Sequence, residues 1–234
     1  MKILAIIPAR KGSKGLKNKN FLKFNSFPLF LWSYWAAKKS KYKISNIILS
    51  TDSKIIAKIA KKNSIEVPFL RPKIYSSDKA SSYLMIKHCL DFFKKKKIIF
   101  DFFILLEPTS PLRDFKDIDS AIKVFIKKKL RSLVSVTKAE CQHPNFLYKK
   151  NRRNFLTSFF HNNKKDIRRQ LITPVFYPDG NIYLSRTKTF LKFKSFYHKY
   201  TYGFEMPKWK SIEIDDKFDF KIAEYIMKIK SKFN

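Results

Sequence analysis

Short apolar runs alternate with segments of helical periodicity over more than half of this chain, and this alternation restricts the fold more than any other feature of the sequence. The runs predicted as strands are residues 3–7, 46–49, 67–70, 102–106 and 133–136. The segments predicted as helices, where apolar side chains recur at helical spacing, are residues 28–39, 55–60, 79–93 and 118–125. Strands and helices in this order form βαβ units with right-handed crossovers. We therefore predict an α/β fold, with a Rossmann-like, mostly parallel sheet flanked by helices.

The alternation stops at about residue 139 and resumes near the end of the chain. Residues 139–176 are polar and basic, and a stretch of that length without a βα period is predicted to be an inserted arm or lid. The remaining predicted elements are a turn at 177–181, strands at 182–184 and 212–216, and a helix from about residue 218. A chain of 234 residues has the size of one α/β domain, so we predict a single domain over residues 1–234.

The first predicted strand leads into a basic loop that contains two of the chain's four glycines, Gly12 and Gly15. Glycines let a backbone approach a ligand closely, and Arg10, Ser13 and Lys14 lie in the same loop. Cations placed there suit phosphate oxygens, which favours a nucleotide triphosphate as the ligand. The loop matches neither of the common phosphate-binding motifs, so a lysine-rich surface loop is the alternative interpretation.

Polar clusters follow several of the other predicted strands as well. Residues 50–53 follow the second strand, and residues 107–113 follow the most apolar one. Ligands of parallel sheets lie at the carboxyl ends of the strands, so we expect these clusters to share one site with the basic loop.

Two acidic residues near the end of the chain, Glu213 and Asp215, are two positions apart on a predicted strand. Side chains at that spacing face the same side of a strand and can share one site. Carboxylates beside a triphosphate suit Mg²⁺, which bridges phosphate oxygens and keeps several waters. The alternative is that Asp216, and Asp215 with it, only cap the final helix.

The formal net charge of +33 points to another class of protein, one that binds nucleic acid. The excess of lysine is spread over the whole length, however, and the sequence has no recognisable recognition helix or aromatic RNA-binding motif. A basic nucleic-acid-binding protein therefore stays as the alternative from a different class, and we predict no specific nucleic-acid partner.

The cysteines and histidines do not indicate a metal centre or a catalytic triad. The two cysteines, Cys89 and Cys141, have no metal-binding spacing and are too few for a disulfide framework, and the four histidines are scattered. No apolar run approaches the ~20 residues of a membrane span, and the short apolar run at the N-terminus does not resemble a signal peptide. We expect a cytoplasmic protein with no membrane partner.

Five motifs occur in an order that resembles one known family. They are residues 7–20, residues 50–53, Leu70-Arg71-Pro72 with Ser77, Asp78 and Ser82, residues 105–113, and Ile214-Asp215 before the last helix. Together they resemble the N-acylneuraminate cytidylyltransferase family, the CMP-sialic acid synthetases, from the N-terminus to about residue 225. The resemblance implies a sheet of the nucleotide-diphospho-sugar transferase type, with residues 139–176 as a dimerisation arm and a homodimer as the assembly.

The activity that the resemblance implies is transfer of CMP from CTP to the anomeric hydroxyl of an acidic nine-carbon sugar, with release of pyrophosphate and with Mg²⁺ as cofactor. The residues it assigns to the triphosphate are Arg10, Ser13, Lys14, Lys19 and Asn20, and those it assigns to the cytidine are Arg71 and Ser82. The residues it assigns to the sugar are Glu107, Tyr177 and Arg169, the last of which comes from the arm of one subunit or of its partner. Arg10, Lys19 and Arg169 are the implied catalytic residues, and Asp215 with Glu213 would bind the metal.

Three positions depart from the pattern of this family. Glu107 stands where the sialate enzymes often carry Gln, and an ionised carboxylate only accepts hydrogen bonds whereas an amide also donates them. Glu213 replaces a common Asp, and Asp179 replaces the Asn of an Asn-Gly turn near the sugar. We expect these carboxylates to be balanced by Arg113, Arg168 or Arg169, and Glu107 favours a related substrate such as a legionaminate-type sugar. A sister nucleotidyltransferase that uses another NTP is a further alternative, and the general base stays open between a carboxylate and a metal-bound hydroxide.

Overall fold

A computed structural model describes residues 1–12, 15–16, 18–77, 80–140, 143–159, 168, 170 and 172–230 of the chain. The strands are β1 (Ile3–Pro8), β2 (Lys23–Phe24), β3 (Phe27–Pro28), β4 (Asn46–Ser50), β5 (Phe102–Leu105), β6 (Ser132–Lys138), β7 (Tyr148–Lys150), β8 (Leu156–Ser158), β9 (Phe176–Arg186) and β10 (Thr201–Glu205). The helices are α1 (Leu29–Lys38), α2 (Lys54–Lys62), α3 (Ser82–Lys95), α4 (Phe115–Lys127), α5 (Thr187–Phe193) and α6 (Lys217–Ile229).

A six-stranded sheet with the order β10-β6-β9-β5-β1-β4 forms the centre of the fold. Strand β1 runs parallel to β4 and β5, and β10 runs parallel to β6. Strand β9 is antiparallel to both of its neighbours, β5 and β6. Five strands therefore share one direction and β9 opposes them, which confirms the predicted mostly parallel sheet.

The sheet is covered by helices on both faces. Alternate residues of β1 point to opposite sides, so that Ala5 packs with α1, α2 and α4, whereas Leu4 and Ile6 pack with α3 and α5. Both layers are built from fully buried aliphatic and aromatic side chains. A buried sheet of this kind needs the continuous apolar runs from which the strands were predicted.

Two of the predicted elements differ from the structure between residues 66 and 82. The predicted strand at 67–70 is reduced to isolated bridges, from Glu66 to Ile48 and from Leu70 to Thr51. Helix α3 begins at Ser82, and its N-cap is Ser81, whose side chain accepts a hydrogen bond from the Leu84 N–H. The predicted cap at residues 76–78 was therefore placed too early, and Asp78 lies outside the described residues.

The structure also corrects the prediction for both segments that flank the final acidic residues. The predicted turn at 177–181 is part of the long strand β9. Residues 211–215 do not form a strand, because the N–H of Asp215 and the N–H of Asp216 donate to Asp219 in α6 rather than to a neighbouring strand. The N–H of Ile214 does bond to the backbone oxygen of Thr109, at 2.8 Å, but that contact stands alone.

Two elements of the sheet region were not predicted. Helix α5 follows β9 directly, and β10 extends the sheet as its edge strand beside β6. Within the predicted arm, the described residues contain a two-stranded hairpin of β7 and β8. No helix among the described residues is both long enough and apolar enough to cross a membrane.

Candidate active site

A cavity of about 390 Å³ opens at the carboxyl ends of β1 and β5. Eight residues predicted from the sequence line it, namely Arg10, Lys19, Asn20, Arg71, Ser82, Glu107, Glu213 and Asp215. Three more predicted residues, Ser13, Lys14 and Arg169, lie outside the described part of the chain. Tyr177 lies on β9 opposite Thr137 and is not among the lining residues. The cavity therefore brings together residues from both ends of the sequence and from its middle.

The basic loop after β1 is held in place through its backbone. The N–H of Lys11 donates to the Asp52 carboxylate at 2.8 Å, and the side-chain amide of Asn20 donates to the backbone oxygen of Arg10 at 2.9 Å. Asn20 is 6% exposed, so this bond lies in a largely water-free environment. Asn20 thus fixes the position of Arg10, whose half-buried side chain faces the cavity.

The end of this loop packs directly against the acidic segment 211–215. A Cβ added at Gly15 would lie 2.3 Å from the backbone oxygen of Asp215, a distance that no side chain tolerates. The Lys19 ammonium donates to the backbone oxygen of Ile214 at 2.6 Å and to the Asp215 carboxylate at 3.0 Å. Gly15 and Lys19 therefore join the two ends of the chain at the wall of the cavity.

Two neighbouring acidic residues at this end of the chain have different roles, because Asp216 caps a helix and Asp215 faces the cavity. Asp216 caps α6, where its carboxylate accepts from the N–H groups of Phe218 and Asp219 in a capping box. The Asp215 carboxylate makes no cap and bonds to Lys19 instead. The alternative in which Asp215 only caps the helix is therefore not what the structure shows.

Glu213 is the second carboxylate of this segment that faces the cavity. Its Oε1 accepts a hydrogen bond from Thr109 Oγ1 at 3.3 Å. Partial burial raises the pKa of Glu213, and the charge of Asp215 raises it further, while Thr109 and Lys19 act in the opposite direction. Asp215 is thus close enough for its charge to affect Glu213.

Glu107 lies at the end of β5 and has an unusual environment for a carboxyl group. Burial is the main cause that raises its pKa to about 7, and the charge of Glu213 contributes in the same direction. The cations Arg113, Lys19 and Arg71 lower it, but they do not compensate. Near neutral pH this side chain is divided between its protonated and ionised forms.

Arg113 stabilises the loop that carries Glu107 through hydrogen bonds to the loop backbone. Its guanidinium, 3% exposed, donates to the backbone oxygens of Glu107 and Ser110, each at 2.7 Å, and to the hydroxyl of Ser33. Burial lowers the pKa of Arg113 to about 10, and Glu107 and other carboxylates oppose that shift. The prediction that Arg113 balances a carboxylate agrees with its effect on Glu107, although its hydrogen bonds go to the backbone and to Ser33.

Arg71 presents an unsatisfied cation to the cavity. Its side chain is 6% exposed, and its Nε and Nη2 atoms have no hydrogen-bond partner among the described residues. Burial lowers the pKa of Arg71, and Asp52 is the strongest influence in the other direction. A buried guanidinium with free donors is costly unless an acceptor arrives, so this position suits an anionic or hydrogen-bond-accepting ligand.

A metal ion would have two carboxylate ligands here. The described residues contain no group of three or more His, Cys, Asp or Glu side chains arranged for a metal ion. Asp215 and Glu213 alone are the donor set expected for Mg²⁺, which takes one or two carboxylates and completes its shell with waters and substrate phosphates. The residues therefore fit a magnesium ion that binds together with a nucleotide.

The sequence analysis missed several lining residues. Thr109, which bonds to Glu213, was part of a quoted motif but received no role, and the same holds for Ser77. Tyr75 lies on the 3₁₀ turn Lys73–Tyr75 and also lines the cavity. No sequence signal marked Tyr75, because a short turn leaves no periodic pattern.

Asp179 does not lie where the sequence analysis expected it. It is 1% exposed and is not among the residues that line the cavity. Its carboxylate accepts from hydroxyl and backbone N–H donors within the fold, and its charge still raises the pKa of Glu213 in the cavity wall.

Comparisons with known proteins identify a family and several relatives. A family model described as "Cytidylyltransferase" matches residues 4–226. The N-acylneuraminate cytidylyltransferase of Escherichia coli O18:K1:H7 (strain RS218 / NMEC) is 35% identical over 99% of this chain, which spans only 53% of that relative's length. The CMP-N,N'-diacetyllegionaminic acid synthase of Legionella pneumophila (strain Philadelphia 1) is 31% identical, and the match covers 98% of this chain and 97% of that protein.

The fold comparison leads to the same group of proteins. A solved structure of CMP:2-keto-3-deoxy-manno-octonic acid synthetase in complex with CTP superposes with a TM-score of 0.70 at 16% identity, covering 98% of this chain and 100% of that one. At that identity the likeness shows a shared fold. The family model covers most of the sequence, and the resemblance first seen in five motifs is confirmed. The chain belongs to the cytidylyltransferase family.

Proposed function

We propose that this protein transfers CMP from CTP to the anomeric hydroxyl of a nonulosonic acid and releases pyrophosphate. The observation that carries the proposal is the composition of one cavity. Its lining contains the buried side chain of Arg71, two of whose guanidinium nitrogens have no hydrogen-bond partner among the described residues, and the carboxylates of Glu213 and Asp215. The named relatives, which act in the synthesis of CMP-linked acidic sugars, support the same assignment.

The chemistry requires little from the protein beyond position and charge. The sugar hydroxyl gives its proton to a base, either a carboxylate or a metal-bound hydroxide, as its oxygen forms a bond to the α-phosphorus of CTP. The bond from that phosphorus to the bridging oxygen breaks, and pyrophosphate leaves with the negative charge. Arg10 and Lys19 face the cavity and would stabilise the charge that grows on the leaving group. Ser13, Lys14 and Asn20 would support the triphosphate, with Asn20 acting through the backbone of Arg10.

Asp215 and Glu213 would hold Mg²⁺, which when bound neutralises phosphate charge and orients the reacting groups. Lys19 forms an ion pair with Asp215, so nucleotide and metal would compete with that ion pair. Ser82 and Arg71 both line the cavity, and they would contact the cytidine. Glu107 would contact the sugar, together with Tyr177 and Arg169 if the arm closes over the cavity.

Glu107 is the residue through which we propose that the sugar is selected. An amide at this position offers both a donor and an acceptor, whereas a carboxyl group with a pKa near 7 offers a donor only in its protonated fraction. A diacetamido sugar of the legionaminate type is therefore the proposed substrate, with N-acetylneuraminate as the competing one.

The proposal is tested by pyrophosphate release with Mg²⁺, each of the four NTPs, and a panel of nonulosonic acids. Release with CTP and one such acid supports the proposal, and a higher kcat/KM for the legionaminate-type sugar supports the role of Glu107. Release with another NTP would contradict the assignment of CTP. No release with any pair would contradict the proposed function.

We also propose a homodimer formed through the arm. The described part of the arm exposes large apolar side chains: Tyr148 is 59% exposed, Phe155 67% and Leu156 63%. Exposed apolar clusters of this kind mark interaction surfaces. Leu156→Asp should convert the dimer to a monomer in sedimentation, whereas Ile99→Asp, at a position 68% exposed and outside the arm, should leave the assembly unchanged. A wild-type monomer would contradict the dimer.

A further inference from the structure

A buried cluster outside the cavity joins three parts of the chain around one carboxylate. We call it the Asp179 cluster, and its members are Ser135, Thr137, Asp179, Asn181 and Ser211. Asp179 accepts hydrogen bonds from the Ser135 hydroxyl, from Thr137 Oγ1 at 3.0 Å, from the Asn181 N–H at 3.1 Å and from Ser211 Oγ at 3.4 Å. The hydrogen bonds of Asp179 therefore connect β6, β9 and the start of the acidic segment.

The cluster occupies an irregularity of the sheet. Val134 pairs with Tyr183 and Val136 with Pro178, so the four residues 179–182 of β9 face the single residue Ser135 of β6. The extra residues leave backbone groups without hydrogen-bond partners on the neighbouring strand. Side chains of the Asp179 cluster take that place, since Ser135 Oγ accepts from the Ile182 N–H at 2.8 Å. Bulges of this kind re-aim the chain and often lie beside active sites.

The bulge presses Gly180 against the cavity wall. Gly180 has φ +73°, and a Cβ added there would lie 2.8 Å from Ser110 Oγ and 3.3 Å from the Glu213 carboxyl group. Ser110 Oγ in turn donates to the backbone oxygen of Asp179 at 3.3 Å. The backbone that Asp179 holds is thus the surface on which Glu213 rests.

A second connection runs through Ser211. This residue bonds to Asp179 and to Thr137, and it lies two positions before Glu213. The neighbouring residue Lys210 is fixed through both its backbone and its side chain. The Asn181 amide donates to the Lys210 backbone oxygen at 3.1 Å, and the Lys210 ammonium binds Asp114 and Asp117 at the start of α4. The acidic segment therefore leaves the core from a fixed point.

We propose that Asp179 is a positioning residue for the acidic pair Glu213 and Asp215, and that it acts through Gly180 and Ser211 without contacting substrate. This inference rests on the proposed function, because the pair matters there as the metal-binding group. It replaces the expectation that Asp179 adds charge beside the sugar. A residue with this role controls the affinity of the site for a divalent ion more than it controls chemistry once the ion is bound.

The test measures divalent-ion binding directly. Mn²⁺ is titrated into protein premixed with CTP and without sugar, and bound Mn²⁺ is followed by water proton relaxation. Asp179→Ala should weaken Mn²⁺ binding at least tenfold. Asp179→Asn should restore it to within about twofold, because the remaining oxygen can keep Ser135 and Asn181 while the amide donates to the hydroxyls of Thr137 and Ser211.

The matched control lies on the same two strands at their other end. Ser132 and Ser185 share a buried hydrogen bond of 2.7 Å between β6 and β9, so Ser185→Ala removes a comparable contact far from the cavity. It should lower the melting temperature and leave Mn²⁺ binding unchanged. Ser211→Ala removes only the connection through Ser211, and it should also weaken Mn²⁺ binding. This variant replaces Asp179→Ala in the test if Asp179→Ala does not fold.

The outcomes separate this inference from the function on which it rests. Folded Asp179→Ala or Ser211→Ala protein that binds Mn²⁺ within twofold of wild type overturns the inference and leaves the proposed function standing. Equal losses in Asp179→Ala and Ser185→Ala also overturn it, because the effect would then be one of general stability. Wild-type protein that binds no Mn²⁺ in the presence of CTP overturns both.

Discussion

At the scale of single residues, the cavity contains ionisable groups whose burial is not balanced by partners within the protein. Arg71 has two guanidinium nitrogens without acceptors, and the carboxyl group of Glu107 has a pKa near 7. Glu107 follows the buried apolar strand β5, and Arg71 follows the isolated bridge between Leu70 and Thr51. Such groups are tolerated where a ligand supplies the missing partner, which is why they mark the site.

Arg71→Met should weaken CTP binding roughly 10- to 100-fold, the value of a lost hydrogen bond to a charged group. It should not lower the melting temperature, because the variant removes a buried cation whose donors are unpaired. Calorimetry with CTP and thermal melting measure the two effects. Lys73→Met, two positions away, is the control for loss of a positive charge. Unchanged CTP affinity in Arg71→Met would remove this residue from the nucleotide site.

Glu107→Gln should change how stability depends on pH. The pKa of Glu107 rises from its ordinary 4.5 to about 7 in the folded protein, so between these values the folded state binds more protons than the unfolded state. The contribution of Glu107 to the free energy of unfolding therefore falls as pH rises through this window and levels off above it. The melting temperature of Glu107→Gln relative to wild type should be higher at pH 8 than at pH 5.

The control for that comparison is Glu205→Gln, which removes an exposed carboxylate from β10. A difference in melting temperature between Glu107→Gln and wild type that is the same at pH 5 and pH 8 would contradict the shifted pKa.

At the scale of elements, the site is formed where the loop after β1 docks on the segment before α6. The contact is backbone to backbone, since Gly15 lies against the carbonyl group of Asp215. Lys19 closes the same contact through Ile214 and Asp215. The loop after β1 can therefore approach the acidic segment this closely only because Gly15 has no side chain.

Gly15→Ala should force these two elements apart and lower stability by about 1–3 kcal/mol, the usual cost of overpacking. Pyrophosphate release should fall with it. Gly12→Ala is the matched control in the same loop, because no atom lies within 4 Å of the position its Cβ would take. Thermal melting and pyrophosphate release on both variants measure the effect, and equal tolerance of the two would contradict the close approach.

The elements that could be predicted from the sequence are those marked by a pattern within a single segment of the chain. Buried strands such as β1 and β5 are continuous apolar runs, and α4 shows a clear helical period with its capping box. Residues 212–216 alternate apolar and acidic side chains as an edge strand does, but a strand also needs a neighbouring strand, and here the N–H groups of residues 215 and 216 bond to α6. That competition is not visible in a sequence pattern.

The same distinction holds for the site. Residues in recognisable motifs, such as Arg10 and Glu107, were predicted, and the structure places them in one cavity. Asp179 was misplaced because its neighbour Gly180 looked like a turn glycine, whereas its positive φ belongs to a bulge in β9. Sequence spacing gives the direction of a side chain only when the element is regular.

At the scale of the whole molecule, the chain carries a net charge of +33. The described residues form six salt bridges, few compared with this excess, and three of them lie at the surface. A charge of this size destabilises the folded state through self-repulsion and attracts polyanions without specificity. Affinity for nucleic acid that disappears with added salt therefore carries no information about function.

Raising the NaCl concentration from about 20 mM to about 300 mM should raise the melting temperature, because the Debye length shortens and the lysines repel one another less. Differential scanning calorimetry measures the change. Arg71→Met separates this effect from chloride binding in the cavity, since the variant should keep the salt dependence. A melting temperature that stays constant or falls with salt would contradict the role of self-repulsion.

The bond between Lys19 and Ile214 joins residues that are 195 positions apart. A ribosome that has completed β10 has synthesised every strand of the central sheet but none of the acidic segment. The growing chain can therefore build its scaffold well before it can hold a metal and a nucleotide together. A chain truncated after β10 would keep every strand of the central sheet and lack both side chains, Glu213 and Asp215, that the acidic segment contributes to the cavity.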